Sequence, residues 1–145
     1  MSNLISEASR LLAKTRADRL CEYCLTREDD CLFALQIDHI ISVKHGGSAV
    51  LENLAVACIF CNRQKGSDVG TILADGQFTR FFNPRTDSWA EHFRLAGAAI
   101  KPMTPIGDGT ARILRYNDPE RIAEREELIA HGRYPALQAL ARMRA

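Results

Sequence analysis

Apolar and polar positions fall along this chain in short blocks, and the period of each block predicts an element. Leu4, Ile5, Ala8, Leu11 and Leu12 recur at three- and four-residue spacing, one face of a helix, with Ser2 or Asn3 placed to cap its start. That helix reads as packing for the unit that follows. Leu32 to Ile37 is a short apolar run, predicting a strand that delivers Asp38-His39 at its end, and Leu54 to Ala57 predicts a second strand. Between them Lys44-His45-Gly46-Gly47-Ser48 reads as a loop, because paired glycines free the backbone. Asn62 to Lys65 opens a helix.

From about Gly70 the texture changes. Thr71 to Leu73 and Phe78 to Phe82 flank a turn at Asp75-Gly76 and predict a hairpin, which Asn83-Pro84-Arg85 ends. Ser88 to Ala99, with Trp89, His92, Phe93 and Leu95, reads as a short helix or an aromatic loop. Gly107-Asp108-Gly109 between Met103–Ile106 and Ala111–Leu114 predicts a second hairpin. Asp118 as cap, Pro119 as first helical residue and Gly132 as stop punctuate a helix, and a last one runs from Pro135 through Leu137, Leu140 and Met143.

Composition adds bounds. The chain has 145 residues, 46% hydrophobic and 26% charged, enough for one domain or a small domain with an extension. A formal net charge of +1 excludes a polycation, so any grip on phosphates must come from local basic patches or a bound cation. No apolar stretch is long enough to span a bilayer, and charges from Glu7 to Arg19 interrupt any signal-like run, so a cytoplasmic protein without membrane attachment is expected. In that reducing setting five cysteines are poor disulfide material, and the closely spaced pairs read as metal ligands.

Two Cys-x2-Cys pairs stand at Cys21/Cys24 and Cys58/Cys61. A two-residue gap lets both thiolates of a knuckle face one ion, and two knuckles complete a closed tetrahedral site that holds structure. Zinc fits best; a four-cysteine iron site and a redox-active disulfide pair are the alternatives. Cys31 lies outside the pattern and reads as a buried bystander. Between and beside the knuckles stand Asp38, His39, Asn53 and Asn62. Singly each has a bland reading, as turn residue, core histidine, loop cap and helix cap. Together they place an acid, an imidazole and amides where the knuckles draw a strand end and a helix start together.

From Cys21 to about Gly66 the chain resembles the HNH endonuclease family: Cys-x2-Cys, Asp38-His39-Ile40, Gly46-Gly47, Glu52-Asn53-Leu54, then Cys58-x2-Cys61-Asn62 with Lys65-Gly66. The resemblance implies an α+β fold: a ββα-metal core with a four-cysteine zinc site, an N-terminal helix and a C-terminal hairpin-plus-helix extension. The division it suggests is residues 1–70 for the core and N-terminal helix and residues 71–145 for an α+β extension packed on it. It implies that His39 is the general base, that Asp38 and Asn62 hold one divalent cation, and that Asn53 orders the loop and orients the histidine. Asparagine at position 62, where the family name has histidine, points to oxygen ligands and Mg²⁺ or Mn²⁺ for the catalytic ion. Phe82-Asn83-Pro84-Arg85 and Trp89-x2-His92-Phe93 resemble an extension found in bacterial and phage-like HNH proteins.

The chemistry stands without the family. Phosphodiester hydrolysis needs an activated water and relief of charge on the phosphate; histidine is the side chain suited to the first near neutral pH, and a hard cation with few protein ligands to the second. Arg63 and Lys65 are candidate contacts to backbone phosphates, or ordinary solvated helix charges; Lys44 and His45 carry the same two readings. Arg80, Arg85, Arg94, Lys101, Arg112 and Arg115 suggest a basic stripe, whereas Arg121, Arg125 and Arg133 among Glu120, Glu124, Glu126 and Glu127 suggest a surface laced with ion pairs. His92 reads as part of a structural cluster or an extra phosphate or metal contact. The expected substrate is nucleic acid, double-stranded DNA in the first instance, giving 5′-phosphate and 3′-hydroxyl ends. Since one such site cuts one strand, double-strand cutting calls for a dimer or two successive events, and specificity calls for the C-terminal half or a targeting partner. The competing reading is a non-catalytic zinc-ribbon module that binds nucleic acid or protein, which has no use for Asp38, His39, Asn53 and Asn62.

Overall fold

A computed structural model describes residues 4–145 and shows six α-helices and three separate two-stranded antiparallel sheets. The class is therefore α+β. Helix α1, Glu7–Arg16, begins after Ser6, whose hydroxyl accepts the Ser9 N–H at 3.1 Å. The expected caps Ser2 and Asn3 lie outside the described residues, and Leu4 and Ile5 precede the helix. Its inward residues are small, Ala13 with Ala17 just beyond, while Leu11 and Leu12 are exposed. The helix sits on the second strand of the first sheet, and Arg16 ties it there by donating to the Leu51 and Leu54 carbonyls at 3.0 and 2.7 Å.

Strands β1 (Gln36–His39) and β2 (Leu54–Ala57) pair with Asp38 opposite Ala55 and His39 opposite Leu54. The first strand begins later than its apolar run suggests. Leu32 and Phe33 are exposed and the strand carries Asp38-His39 within it. Helix α2, Ile59–Lys65, follows β2 after one residue and packs on both strands. Strands β3 (Gly70–Ile72) and β4 (Phe78–Arg80) form the expected hairpin. A short helix α3, Trp89–His92, then runs straight into a hairpin of β5 (Phe93–Ala96) and β6 (Ala99–Pro102), so the stretch from Ser88 holds both a helix and a strand.

The hairpin expected across Gly107-Asp108-Gly109 is instead helix α4, Pro105–Ile113. Thr104 caps it, accepting the Gly107 N–H at 3.0 Å, and Pro105 takes the first helical position. Its glycines serve close approach rather than a turn: a Cβ at Gly107 would lie 2.2 Å from the His92 carbonyl oxygen, and one at Gly109 2.6 Å from Thr79 Cγ2. Helix α5, Pro119–Ala130, and helix α6, Leu137–Arg144, fall where their punctuation predicts, although Asp118 makes no side-chain capping bond.

One aromatic cluster joins the two halves of the chain. Phe93 lies 5.5 Å from Phe82, 5.1 Å from Trp89 and 5.4 Å from Tyr116 between ring centres, and Phe82 lies 6.4 Å from Tyr23 of the first knuckle. Each such pair adds about 0.5–1.5 kcal/mol beyond the area it buries. Three of the six residues of the expected basic stripe are engaged within the fold. Arg80 makes two bonds to Asp87, Arg85 pairs with Glu22, and Arg112 donates to the Ile72 carbonyl. Arg121 and Arg125 are buried rather than laced with surface acids, and only Arg133 of the three pairs with a carboxylate, Asp30. His92 is also buried, bonded through Nδ1 to Thr104 at 2.6 Å, which makes it part of the packing. No helix among the described residues is long and apolar enough to cross a membrane.

Candidate active site

The cysteine cluster is built by two knuckles of the same design. The Cys24 N–H points at Cys21 Sγ across 3.4 Å, and the Cys61 N–H at Cys58 Sγ across 3.5 Å, with Cys58 also capping α2. The knuckles are laced to the first sheet: Glu22 N–H donates to the Val56 carbonyl at 2.8 Å, and its carboxylate accepts the Val56 N–H at 3.0 Å. All four sulfurs are buried and lie within 4.8 Å of one another. Cys24 Sγ and Cys58 Sγ are 3.8 Å apart, which matches the edge of a tetrahedron with metal–sulfur bonds of about 2.3 Å. Burial pushes the Cys21 and Cys61 thiols well up, whereas hydrogen bonds from the neighbouring sulfurs hold Cys24 well below the ordinary thiol range. Four buried cysteine sulfurs this close are consistent with a zinc site in both donors and spacing. Cys31 stays apart: its thiol donates to the Arg27 carbonyl at 3.2 Å, and burial raises it to about 12.

Asp38, His39 and Asn62 come together around one open cavity of about 340 Å³, shared with Ser42, Lys44 and Ser67. Strand β1 supplies the first two and α2 the third. Asn62 Nδ2 donates to Gln36 Oε1 at 2.5 Å, which fixes the amide plane. His39 Nε2 is buried and has no hydrogen-bond partner among the described residues. Asn53 does not line the cavity. It ties down the loop behind it, accepting the Ile41 N–H at 2.8 Å and donating to the Ile41 and Ser48 carbonyls at 2.9 and 2.8 Å. That loop is closed enough to demand glycine: a Cβ at Gly47 would stand 1.7 Å from the Ile41 carbonyl oxygen.

The structure places the two expected phosphate contacts differently, Lys65 buried and Arg63 exposed. Lys65 is 1% exposed; its ammonium lies 3.3 Å from Asp38 Oδ1 and 3.1 Å from Oδ2, and donates to the His39 and Ile40 carbonyls at 3.1 and 3.2 Å. A buried ammonium with this many oxygens is spent on the fold. Arg63 is exposed, but it lines a different, largely apolar cavity with Phe33, Phe60 and Arg121. Lys44 is the cation that borders the cavity of Asp38, His39 and Asn62. Tyr23, which no sequence motif singles out, donates its hydroxyl to Asp38 Oδ2 at 2.8 Å. Burial holds the Asp38 carboxyl above the ordinary carboxylate range, against the opposing pull of Lys65 and the Tyr23 hydroxyl. Lys65→Met is expected to destabilise the protein by about 3–5 kcal/mol, because it strips a buried carboxylate of its counter-charge. Urea denaturation checks this, and a midpoint equal to that of the parent would refute the ion-pair role.

With two buried knuckles, an acid and an imidazole on one strand and an asparagine on the following helix, the arrangement meets an independent comparison. Residues 21–68 match the HNH endonuclease family model. This HNH segment is about a third of the chain and ends just before β3. It contains all four clustered cysteines and every residue of the Asp38 cavity named above. No curated protein and no solved structure matches the chain. The HNH domain points to nuclease-type chemistry, and the four-cysteine cluster is consistent with zinc.

Proposed function

We propose that the protein is a metal-dependent HNH endonuclease that hydrolyses phosphodiester bonds in DNA, with residues 1–70 as its ββα-metal core and residues 71–145 as an extension packed upon it. The observation that carries this reading is the convergence of Asp38, His39 and Asn62 on one open cavity. A zinc ion held by Cys21, Cys24, Cys58 and Cys61 is structural, since four thiolates leave no position for water.

His39, which lines the cavity, accepts the proton of the attacking water, the task for which an imidazole is suited near neutral pH. Asp38 and the Asn62 amide oxygen are the ligands for Mg²⁺ or Mn²⁺, which when bound supplies Lewis-acid relief of phosphate charge. The Asp38 carboxylate has capacity for this, because among the described residues its roughly four lone-pair sites meet only Tyr23 and Lys65 as donors. Asn53 holds the loop that carries Lys44, and Lys44 meets a backbone phosphate at the cavity rim. A zinc-ribbon binding module would explain the cysteines, but not the acid, imidazole and amide gathered away from them.

The test is supercoiled plasmid incubated with purified protein and Mg²⁺, Mn²⁺ or EDTA. Conversion to open-circle or linear DNA that EDTA abolishes is expected. Zinc-loaded protein that converts no plasmid with either metal would sink the hydrolytic reading in favour of the binding module.

A further inference from the structure

Three side chains from outside the HNH segment donate to carbonyls of the first knuckle. Trp89 Nε1 donates to the Tyr23 carbonyl at 2.9 Å, the Tyr116 hydroxyl donates to the same oxygen at 2.8 Å, and the Tyr134 hydroxyl donates to the Cys24 carbonyl at 2.8 Å. Arg121, in the first turn of α5, reaches the sulfurs themselves. Its Nη2 lies 3.7 Å from Cys61 Sγ, its Nη1 donates to the Leu114 carbonyl at 3.4 Å, and its guanidinium carbon stands 5.3 Å from the centre of the Phe60 ring. The residue is 7% exposed and pairs with no carboxylate among the described residues.

A buried guanidinium without a carboxylate is costly unless another anion answers it. Four thiolates around a divalent ion carry a net charge of −2, and here that charge is within reach. The planar fork suits the place better than an ammonium, since one edge addresses a sulfur while the face lies over an aromatic ring. Partners of this kind, one bond removed from the metal, tune the ligand atom and the hold on the ion. We propose that Arg121 is an outer partner of the four-thiolate zinc centre, a positioning residue by which the C-terminal half lowers the charge on Cys61 sulfur and slows loss of the metal. This rests on the zinc reading of the cysteine cluster.

Full-length parent, Arg121→Lys and Arg121→Gln proteins, each loaded with Zn²⁺ and confirmed as folded by near-ultraviolet circular dichroism, are compared for zinc transfer to a chromogenic chelator. Arg121→Gln is expected to release zinc about 10–100 times faster, with Arg121→Lys between it and the parent. In the Co²⁺-substituted proteins the sulfur-to-cobalt charge-transfer band should move in Arg121→Gln, a change that lost packing elsewhere on α5 does not produce. Equal release rates and an unmoved band would overturn the proposal. If Arg121→Gln does not fold, the same two measurements on Arg121→Lys decide the matter: faster release with a moved band supports the proposal, and parental values overturn it. A parent protein that binds neither zinc nor cobalt through sulfur would fail at the zinc reading instead, and is told apart by the missing charge-transfer band.

Discussion

Cys58→Ser is expected to abolish zinc binding and leave the first seventy residues without a stable fold. Cys58 has two tasks at once: it caps α2 by accepting the Cys61 N–H, and it sits at tetrahedral distance from Cys24. A structural zinc contributes about 10–16 kcal/mol of apparent folding free energy, against about 5–15 kcal/mol of total stability for an ordinary domain. Losing it therefore outweighs what the small first sheet can supply. Metal analysis of the purified variant should fall from one zinc per chain to none, with collapse of the near-ultraviolet signal, and a strong chelator should reproduce the effect on the parent. A variant that keeps its zinc and its thermal transition would show that the cluster is not a four-ligand site.

His39→Ala is expected to act in the opposite way, removing cleavage while leaving the fold alone. Positioned general bases contribute about 10²–10⁴ in rate, so nicking should fall by at least two orders of magnitude. Stability should change little, because the side chain is only half-buried and its Nε2 makes no hydrogen bond to lose. Plasmid conversion under single-turnover conditions measures the first, and zinc content with a melting curve the second. Cleavage at the parent's rate would remove the general-base assignment. A fall in activity together with loss of zinc would mean that the substitution had damaged the core and reported nothing about catalysis.

What could be read from the sequence were the features whose meaning is local. The knuckles, Asp38-His39 and Asn62 lie in short motifs with chemically constrained spacing, and α5 is bracketed by Pro119 and Gly132. What could not be read depended on distant partners. Gly107 and Gly109 look like turn residues until Thr79 and the His92 carbonyl press against them. Arg121 and Arg125 alternate with glutamates as a solvated face does, yet Arg125 Nε donates to the Ala98 carbonyl at 2.6 Å, from a residue 27 positions away. Lys65 sits one turn past a knuckle and looks exposed. Only the approach of β1 to α2, which brings the Asp38 carboxylate and two carbonyls to the ammonium, buries it.

Tyr23 has a consequence in time. Its carbonyl takes donors 66 and 93 residues further along, and the neighbouring Cys24 carbonyl one 110 residues further along. A ribosome adding about 5–20 residues per second exposes both cysteine pairs several seconds before the tyrosine of the last bond has been made. On the zinc reading, the nascent chain therefore has all four ligands before it has the donors that hold the first knuckle, and the last of those bonds forms only once Tyr134 has emerged.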